Sequence, residues 1–195
     1  AFAAQDTIAN FFGSIMIILD RPFKVGDFIR VDGQEGTVEK VGLRSTKLRT
    51  LDGHAITVPN KTTANASIAD VTMRPYIKKT VDLGLVYDTP PEKMELAMRI
   101  LHEIFDNHEG MKPELPPRIY FSDFKDYSLN IRLVAWYHPG DYWQAIEWWN
   151  RKNMEILRRF NAEGLEFAFP TQTSYLAYDP KRKLKVDVEQ LENRQ

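Results

Sequence analysis

The spacing of apolar and polar positions along the chain changes several times, and each change marks an element. Residues 7–19, TIANFFGSIMIIL, carry no charge. Positions 15–19 are apolar on every side, whereas a surface helix keeps a polar face. These thirteen uncharged residues are too few to cross a bilayer, which takes about 17–25. The stretch reads either as a buried core helix or as the last part of a membrane segment that begins before Ala1. Ala9 and Gly13 stand four apart, the small-residue spacing that lets helix backbones approach. Asp is a good N-cap and a poor interior residue. Asp6 therefore either starts a new helix at Thr7 or sits solvated in a first turn. Arg21-Pro22 ends the helix, because a residue before proline is pushed out of the α region.

Residues 25–71 read as short strands: VGDFIRV, GTVEKVGL, STKLRTL and HAITVPN, with Asp32-Gly33 and Asp52-Gly53 between them. Each Asp-Gly is a hairpin signal. Short β-branched runs with a turn every ~8–12 residues predict a small barrel.

From Ile77 the period is two: Ile77, Lys79, Val81, Leu83, Leu85 and Tyr87 share a strand face. Thr89-Pro90-Pro91-Glu92 then opens a helix in which Met94, Ala97, Met98, Leu101, Ile104 and Phe105 recur at helical spacing. Gly110 and Pro113 are expected to end it. RIYFSDF is a strand, Asp126 lies in a tight turn, and Leu129, Ile131, Leu133, Ala135 and Tyr137 alternate again. Pro139-Gly140-Asp141 opens a helix to about Glu163, with Trp143, Ile146, Trp149, Met154, Leu157 and Phe160 expected on one buried side. Gly164 is its C′ glycine, and LEFAF is a last strand. The order β-α-β-β-α-β is that of a ferredoxin-like sandwich. TSYLAY, after Pro170, is a strand with nothing left in its own unit to cover it. An isolated strand is unstable, so it is expected to pair between subunits. A charged tail, expected to be mobile, follows at 180–195.

Composition narrows the function. An apolar fraction of 43% fits a chain that buries a core. With no cysteine, disulfides and thiolate chemistry are excluded. The net charge of −1 gives no global field for nucleic acid. It hides a gradient: −2 over residues 1–20, +5 over 21–80, −6 over 81–179 and +2 over 180–195. The basic stretch has Phe28 as its one aromatic ring besides His54 between residues 25 and 71. Single-strand binding surfaces interleave several aromatics with their cations, so nucleic acid is not expected. The chain begins at Ala1 without a leader pattern and is expected to be a fragment of a longer polypeptide.

No metal site, cofactor or catalysis is expected. His102 and His108 are six apart on the helix and point to different faces, and there is no H-x-x-x-H. No nucleophile elbow, P-loop or G-x-G-x-x-G occurs. Asp123 and Asp126 fall in turns, where Asp is expected for backbone reasons. Trp143, Trp148 and Trp149 suggest either a ligand cage or core packing, of which packing is the plainer reading.

The succession AQDTIANFFGSIMIILDRPFKVGDFI, then GTVEKVGLRSTKLRTLDGHAITVPN, resembles the small-conductance mechanosensitive channel (MscS) family over roughly residues 1–179. The specific features are N-x(10)-RPF-x-x-GD from Asn10 to Asp27, the G-x-V-x-x-V-x-L-R-S-T core, and VPN at 58–60. FAFPTQT resembles the YnaI-like branch.

The resemblance implies an α+β chain in five parts. Residues 1–20 are the end of a pore-lining helix and its kinked continuation. Residues 21–75 are an Sm-like middle β domain and 76–170 a ferredoxin-like domain. Residues 171–179 are an inter-subunit barrel strand, followed by the tail. It implies a homoheptamer in the bacterial inner membrane, with the residues after about 20 forming a cytoplasmic cage. The assembly would open under membrane tension to pass ions and small solutes, with lipids as partners. By position, Phe2 and Gln5 belong to the pore and gate, and Asp6 and Gly13 to the hinge. Asp6 stands where the best-known member has a glycine. Asn10, Phe11 and Phe12 would pack the helix on the cage, and Arg21, Pro22 and Phe23 would couple to the membrane domain. The rival reading is a soluble ligand- or nucleic-acid-binding module built from a small barrel and a ferredoxin-like domain.

Overall fold

The computed structural model describes residues 2–171, with side chains from Gln5 onward. The expected strand within 171–179 and the charged tail lie outside the described residues, Thr171 apart.

Helix α1 (Phe2–Asp20) is one uninterrupted helix that passes through Asp6. The Asp6 carboxylate caps no following turn and is bonded instead to Lys61 Nζ. α1 ends as Arg21 turns left-handed (φ 48°) and its N–H bonds the Ile17 carbonyl at 3.0 Å. That is the single-bond left-handed C-cap, with Pro22 barring continuation.

Strands β1 (Phe28–Val31) and β2 (Gln34–Val41) join through Asp32-Gly33, with φ of 50° and 72°, as a primed hairpin turn requires. β3 (Ser45–Arg49) and β4 (Ala55–Pro59) flank the second Asp-Gly, where Gly53 has φ 85°. A short helix α2 (Asn60–Asn65) and strand β5 (Ile68–Asp70) follow. The sheet is antiparallel in the order β4-β3-β2-β1-β5. Its two edge strands are joined through α2 rather than paired with each other. Ile29, Val31, Val38, Leu48 and Val58 form its core, which Phe23 and Ile17 enter from the α1 side. In the GD of the signature, Asp27 Oδ2 accepts from the Lys24 N–H at 2.6 Å, and Gly26 is left-handed at φ 99°.

The second unit has β6 (Ile77–Leu85), α3 (Pro91–Phe105), β7 (Arg118–Phe124), β8 (Leu129–Tyr137) and α4 (Tyr142–Ala162). Its antiparallel sheet runs β6-β8-β7. LEFAF shrinks to one bridge, Leu85 with Phe167, flanked by bonds from Val86 N–H to Glu166 O and from Ala168 N–H to Gly84 O. This completes the strand order of a ferredoxin-like sandwich.

Two expectations are corrected. α3 stops at Phe105 rather than near Gly110, because Asn107 turns left-handed (φ 59°) and Lys152 Nζ from α4 takes the Ile104 carbonyl at 2.9 Å. Lys93 of α3 likewise bonds the Glu163 carbonyl at the end of α4. Each helix is thus capped by a lysine from the other, where cations suit the dipole. On α4, Ala145, Trp148, Trp149, Ile156 and Phe160 are the buried residues. The expected Trp143, Ile146, Met154 and Leu157 are exposed by 71, 40, 48 and 43%. α4 carries two apolar stripes, and the sheet takes the one through Trp148.

Candidate functional site

Three of the residues flagged at the start of the chain, Asp6, Asn10 and Gly13, meet at one contact, between α1 and the first turn of α2. α1 turns Gly13, Ser14 and Ile17 inward, with Asn10 half-buried beside them. The spacing of these four positions places them on one helical stripe. Ser14 donates to the Phe11 carbonyl at 2.7 Å, which satisfies its hydroxyl inside the contact. Ile17, 4% exposed, reaches the core of the β unit.

Gly13 is what lets the helices meet. A Cβ there would lie 2.7 Å from the Asn60 carbonyl carbon and oxygen and 2.9 Å from the Lys61 nitrogen. Those are backbone atoms, which cannot swing aside. In this conformation Gly13 is a contact residue within α1.

Asn10 supplies the polar half. Its Oδ1 accepts from the Lys61 backbone N–H at 2.9 Å, while its Nδ2 donates to the Asp6 carbonyl at 2.9 Å. α2 has no side-chain cap of its own, since Pro59 precedes it. Asn10 therefore satisfies one of the amides that a helix start leaves open. The second bond holds the Asn10 amide on its own helix, so both ends of the side chain are placed. Lys61 Nζ then pairs with Asp6 Oδ1 at 3.1 Å, with both side chains largely exposed. An exposed pair of this kind contributes about 0.2–1 kcal/mol. An open cleft of about 670 Å³ borders the contact, lined in part by Asp6, Asn10, Asp32, Arg44 and Lys61.

The floor of the contact is Asn60, fully buried. Its Oδ1 accepts from Thr46 Oγ1 at 2.9 Å, its Nδ2 donates to Gly42 O at 2.7 Å, and its N–H donates to Arg44 O at 2.9 Å. One side chain thus ties α2 to the β2–β3 turn. Sequence reasoning quoted Asn60 as part of VPN without assigning it a role, and missed Lys61. The available signal for Asn60 was an uncharged polar residue directly after an apolar strand, where only a buried bonding role explains it. Lys61 carried no local signal, because its partners are 51 and 55 residues away.

The other flagged residues divide. Phe11 and Phe12 do not pack on this chain's β unit. They are 47 and 59% exposed and meet each other edge to face. With Ile8, Met16, Ile18 and Leu19 they form an apolar outer side of α1. Arg21 and Pro22 are exposed, whereas Phe23 is buried in the β core as an anchor. Gln5 is exposed, and the Phe2 side chain lies outside what is described. The tryptophans do not form a cage: Trp148 and Trp149 are in the core with Phe105, and Trp143 stands out against Tyr142. Among the described residues no helix is long and apolar enough to cross a membrane, and no group of three His, Asp or Glu is placed to hold a metal.

The described residues thus form a helix with an exposed apolar side, clamped on a small β unit and followed by a ferredoxin-like sandwich. Residues 6–72 match the model "Mechanosensitive ion channel, beta-domain" and 80–167 match "Mechanosensitive ion channel MscS, C-terminal". The chain belongs to the MscS family of mechanosensitive channels. It is 39% identical to the small-conductance mechanosensitive channel MscMJ of Methanocaldococcus jannaschii, over 92% of this chain and 51% of that one. It is 32% identical to the low conductance mechanosensitive channel YnaI of Escherichia coli, over 89% of this chain and 51% of that one. The chain thus spans about half the length of these relatives. The closed-state crystal structure of Helicobacter pylori MscS superposes with a TM-score of 0.77 at 26% identity, covering 92% of this chain and 69% of that one. Arabidopsis thaliana MSL1 shares the fold, with a TM-score of 0.79 at 18% identity, covering 87% and 61%.

Proposed function

We propose that this chain is the pore-adjoining and cytoplasmic part of a tension-gated channel subunit that releases ions and small solutes on osmotic downshock. The observation that carries the reading is the two-sidedness of α1. One side is fitted to α2 through Gly13 and Asn10, and the other exposes Ile8, Phe11, Phe12, Met16, Ile18 and Leu19. Such a patch marks a protein or membrane contact. In this reading seven copies assemble in the bacterial inner membrane. A ring of Phe2, with Gln5 below it, forms a constriction that excludes water because an apolar lining offers it no bonds. The open state occupies more membrane area, so tension shifts the population toward it. The α1–α2 contact sets the angle at which the pore helix leaves the cage. Asp6 and Gly13 act as its hinge only in a state where that contact is released. Arg21, with Pro22 beside it, faces the membrane domain, and residues 171–179 close the base of the cage. The family match and the apolar outer side of α1 support this reading over a soluble binding module.

The full-length protein in liposomes tests it. A pressure ramp on excised patches is expected to open discrete currents, and native mass measurement in detergent is expected to give seven subunits. Silent patches reject the channel reading, and another ring size rejects the heptamer.

A further inference from the structure

Outside the α1 contact, His108 is a buried polar residue with a side-chain nitrogen that finds no partner. It lies just past α3, is 6% exposed, and packs against Trp148 (ring centroids 4.7 Å apart) and Phe105. Its Nδ1 faces the Glu109 carbonyl at 2.7 Å, so Nδ1 carries the proton in the neutral ring. Nε2 then holds a lone pair, and it has no hydrogen-bond partner. The Trp148 Nε1–H beside it has none either. The pocket accepts a neutral imidazole and offers a second ring N–H nothing to bind.

The surrounding charges make a proton still less welcome. From α4, Lys152 projects its ammonium to the Ile104 carbonyl, and Arg151 bonds Glu109 at 2.9 Å. From β8 and the turn after it come Tyr137 and His138, and from the loop itself Asp106 and Glu109. Asp106 is turned to His102. Glu109 is already bonded to Arg151, with Lys152 4.0 Å away. Burial holds the His108 imidazole below its ordinary range, Lys152 and His138 add to this, and the Glu109 backbone and carboxylate oppose it.

The loop that His108 roots is itself a clasp. Gly110 is left-handed (φ 80°), and a Cβ there would lie 2.4 Å from the His138 carbonyl. The Gly110 carbonyl accepts from the His138 backbone N–H and faces His138 Nδ1, each at 2.9 Å. Two residues on, the Gly140 carbonyl accepts from Arg74 Nε at 2.7 Å, and the Arg74 guanidinium lies 6.0 Å from the Tyr142 ring. Tyr76 packs edge to face on His138. Arg74 and Tyr76 belong to the strap between β5 and β6 that joins the β unit to the sandwich. One continuous set of contacts therefore runs from His108 through Gly110 and the 138–140 turn to the strap.

We propose that His108 is an acid-sensitive pin: acidification protonates it, the 106–111 loop leaves α4, and the grip of the 138–140 turn on the Arg74 strap loosens. The proton goes to Nε2, which finds an acceptor only when the ring reaches water. The folded state, with its depressed affinity, binds fewer protons than the open one. Stability of the clasp is therefore complete above the ordinary histidine value of about 6.5 and is lost as pH falls below it. The inference does not depend on channel activity.

Hydrogen exchange of the full-length protein in detergent tests it, with protection factors corrected for the intrinsic pH dependence of exchange. For one-proton linkage the opening equilibrium of 106–113, 138–141 and 72–76 is expected to rise up to about fivefold between pH 6.5 and 5.5. His108→Gln, which cannot titrate, is expected to flatten that rise, and His138→Gln to leave it. Unchanged protection in the wild type, an undiminished rise in His108→Gln, or abolition by His138→Gln alone each overturns the proposal. If His108→Gln loses α3 protection at pH 7.5, NMR of ring-labelled histidine decides. His108 is expected to titrate below the ordinary histidine value of about 6.5, and titration at or above that value refutes the pin.

Discussion

The contact between α1 and α2 and the interior of the ferredoxin-like unit hold their helices by opposite means. In the sandwich, α3 and α4 lie on β6, β7 and β8 through a continuous dry core. Tyr137, Trp148, Trp149 and Phe105 stack within 6.0 Å of one another in sequence, and Phe160 stacks on Phe167. Aromatic side chains of this size dominate the energetics of a core. Among its described side chains α1 brings Ile17 as the one large fully buried residue, while Ile8, Phe11, Phe12, Met16, Ile18 and Leu19 are exposed. What holds it is fit at Gly13, the Asn10 bond to the Lys61 amide and one exposed ion pair. Area resists change, while a few directional bonds at a close approach can form and break with little loss elsewhere.

The largest test of this contrast is Trp148→Ala. Trp148 is 1% exposed and touches Tyr137, Phe105, His108 and Trp149. Truncating such a ring costs about 3–5 kcal/mol. Denaturant unfolding of the full-length protein, followed by exchange in α3 and α4, is expected to show that loss in the sandwich with β1–β4 unaffected. A cost below about 1 kcal/mol would mean the core is not the anchor described here.

Next is Gly13→Leu. Even the first added carbon meets backbone at 2.7 Å. Overpacking costs about 1–3 kcal/mol, and here α1 escapes it by lifting off α2. Exchange is expected to rise in 10–17 and 60–62 while α3 and α4 keep their protection. An α1 that stays protected would show that α2 gives way instead.

The same contrast explains how far the fold was legible. The sandwich announced itself because its signals are local: alternation in β6 and β8, helical spacing in α3, Asp141 accepting from the Gln144 N–H at the start of α4, and Gly164 after its end. Where two local patterns competed, as with the two apolar stripes of α4, spacing alone did not say which one the sheet would take. The α1 contact was half legible. Gly13 stood out by its size, and Asn10 by its place in the signature. At Asp6 a local rule was ambiguous, because a capping residue is also a good partner for a distant lysine. Lys61, supplied by α2 across 55 residues, was invisible to any local rule.

A smaller effect is expected at the sheet's outer face. Asp82 accepts from Arg132 Nε and a second guanidinium nitrogen at 2.9 and 3.0 Å and from Lys125 at 3.2 Å. The Arg132 guanidinium foremost holds its carboxyl well below the usual carboxylate range. The folded form therefore resists protonation. Its contribution is present above the unfolded value of about 3.9 and fades as pH falls toward the folded one. Melting temperature is expected to fall below about pH 4, and less steeply in Asp82→Asn. Equal slopes would mean that solvent screens the cluster completely.

The smallest expected effect is the most informative about the joint. Asp6 and Lys61 are exposed by 71 and 52%, so their attraction is screened by water and by salt. A double-mutant cycle with Asp6→Asn and Lys61→Gln, read as local opening of α1, is expected to give a coupling of about 0.2–1 kcal/mol at low salt. The Debye length shrinks from about 10 Å at 0.1 M to about 3 Å at 1 M, so the coupling is expected to vanish toward 1 M. Asn10→Ala serves as the reference, because the Asn10 bond to the Lys61 amide is uncharged and its cost is expected to be the same at both salts. Zero coupling at low salt would leave the clamp to Gly13 and Asn10 alone. A coupling that survives high salt would place the pair in a drier setting than its exposure implies. The expected result makes the joint, unlike the sandwich core, responsive to ionic strength, the quantity that changes when a cell is diluted.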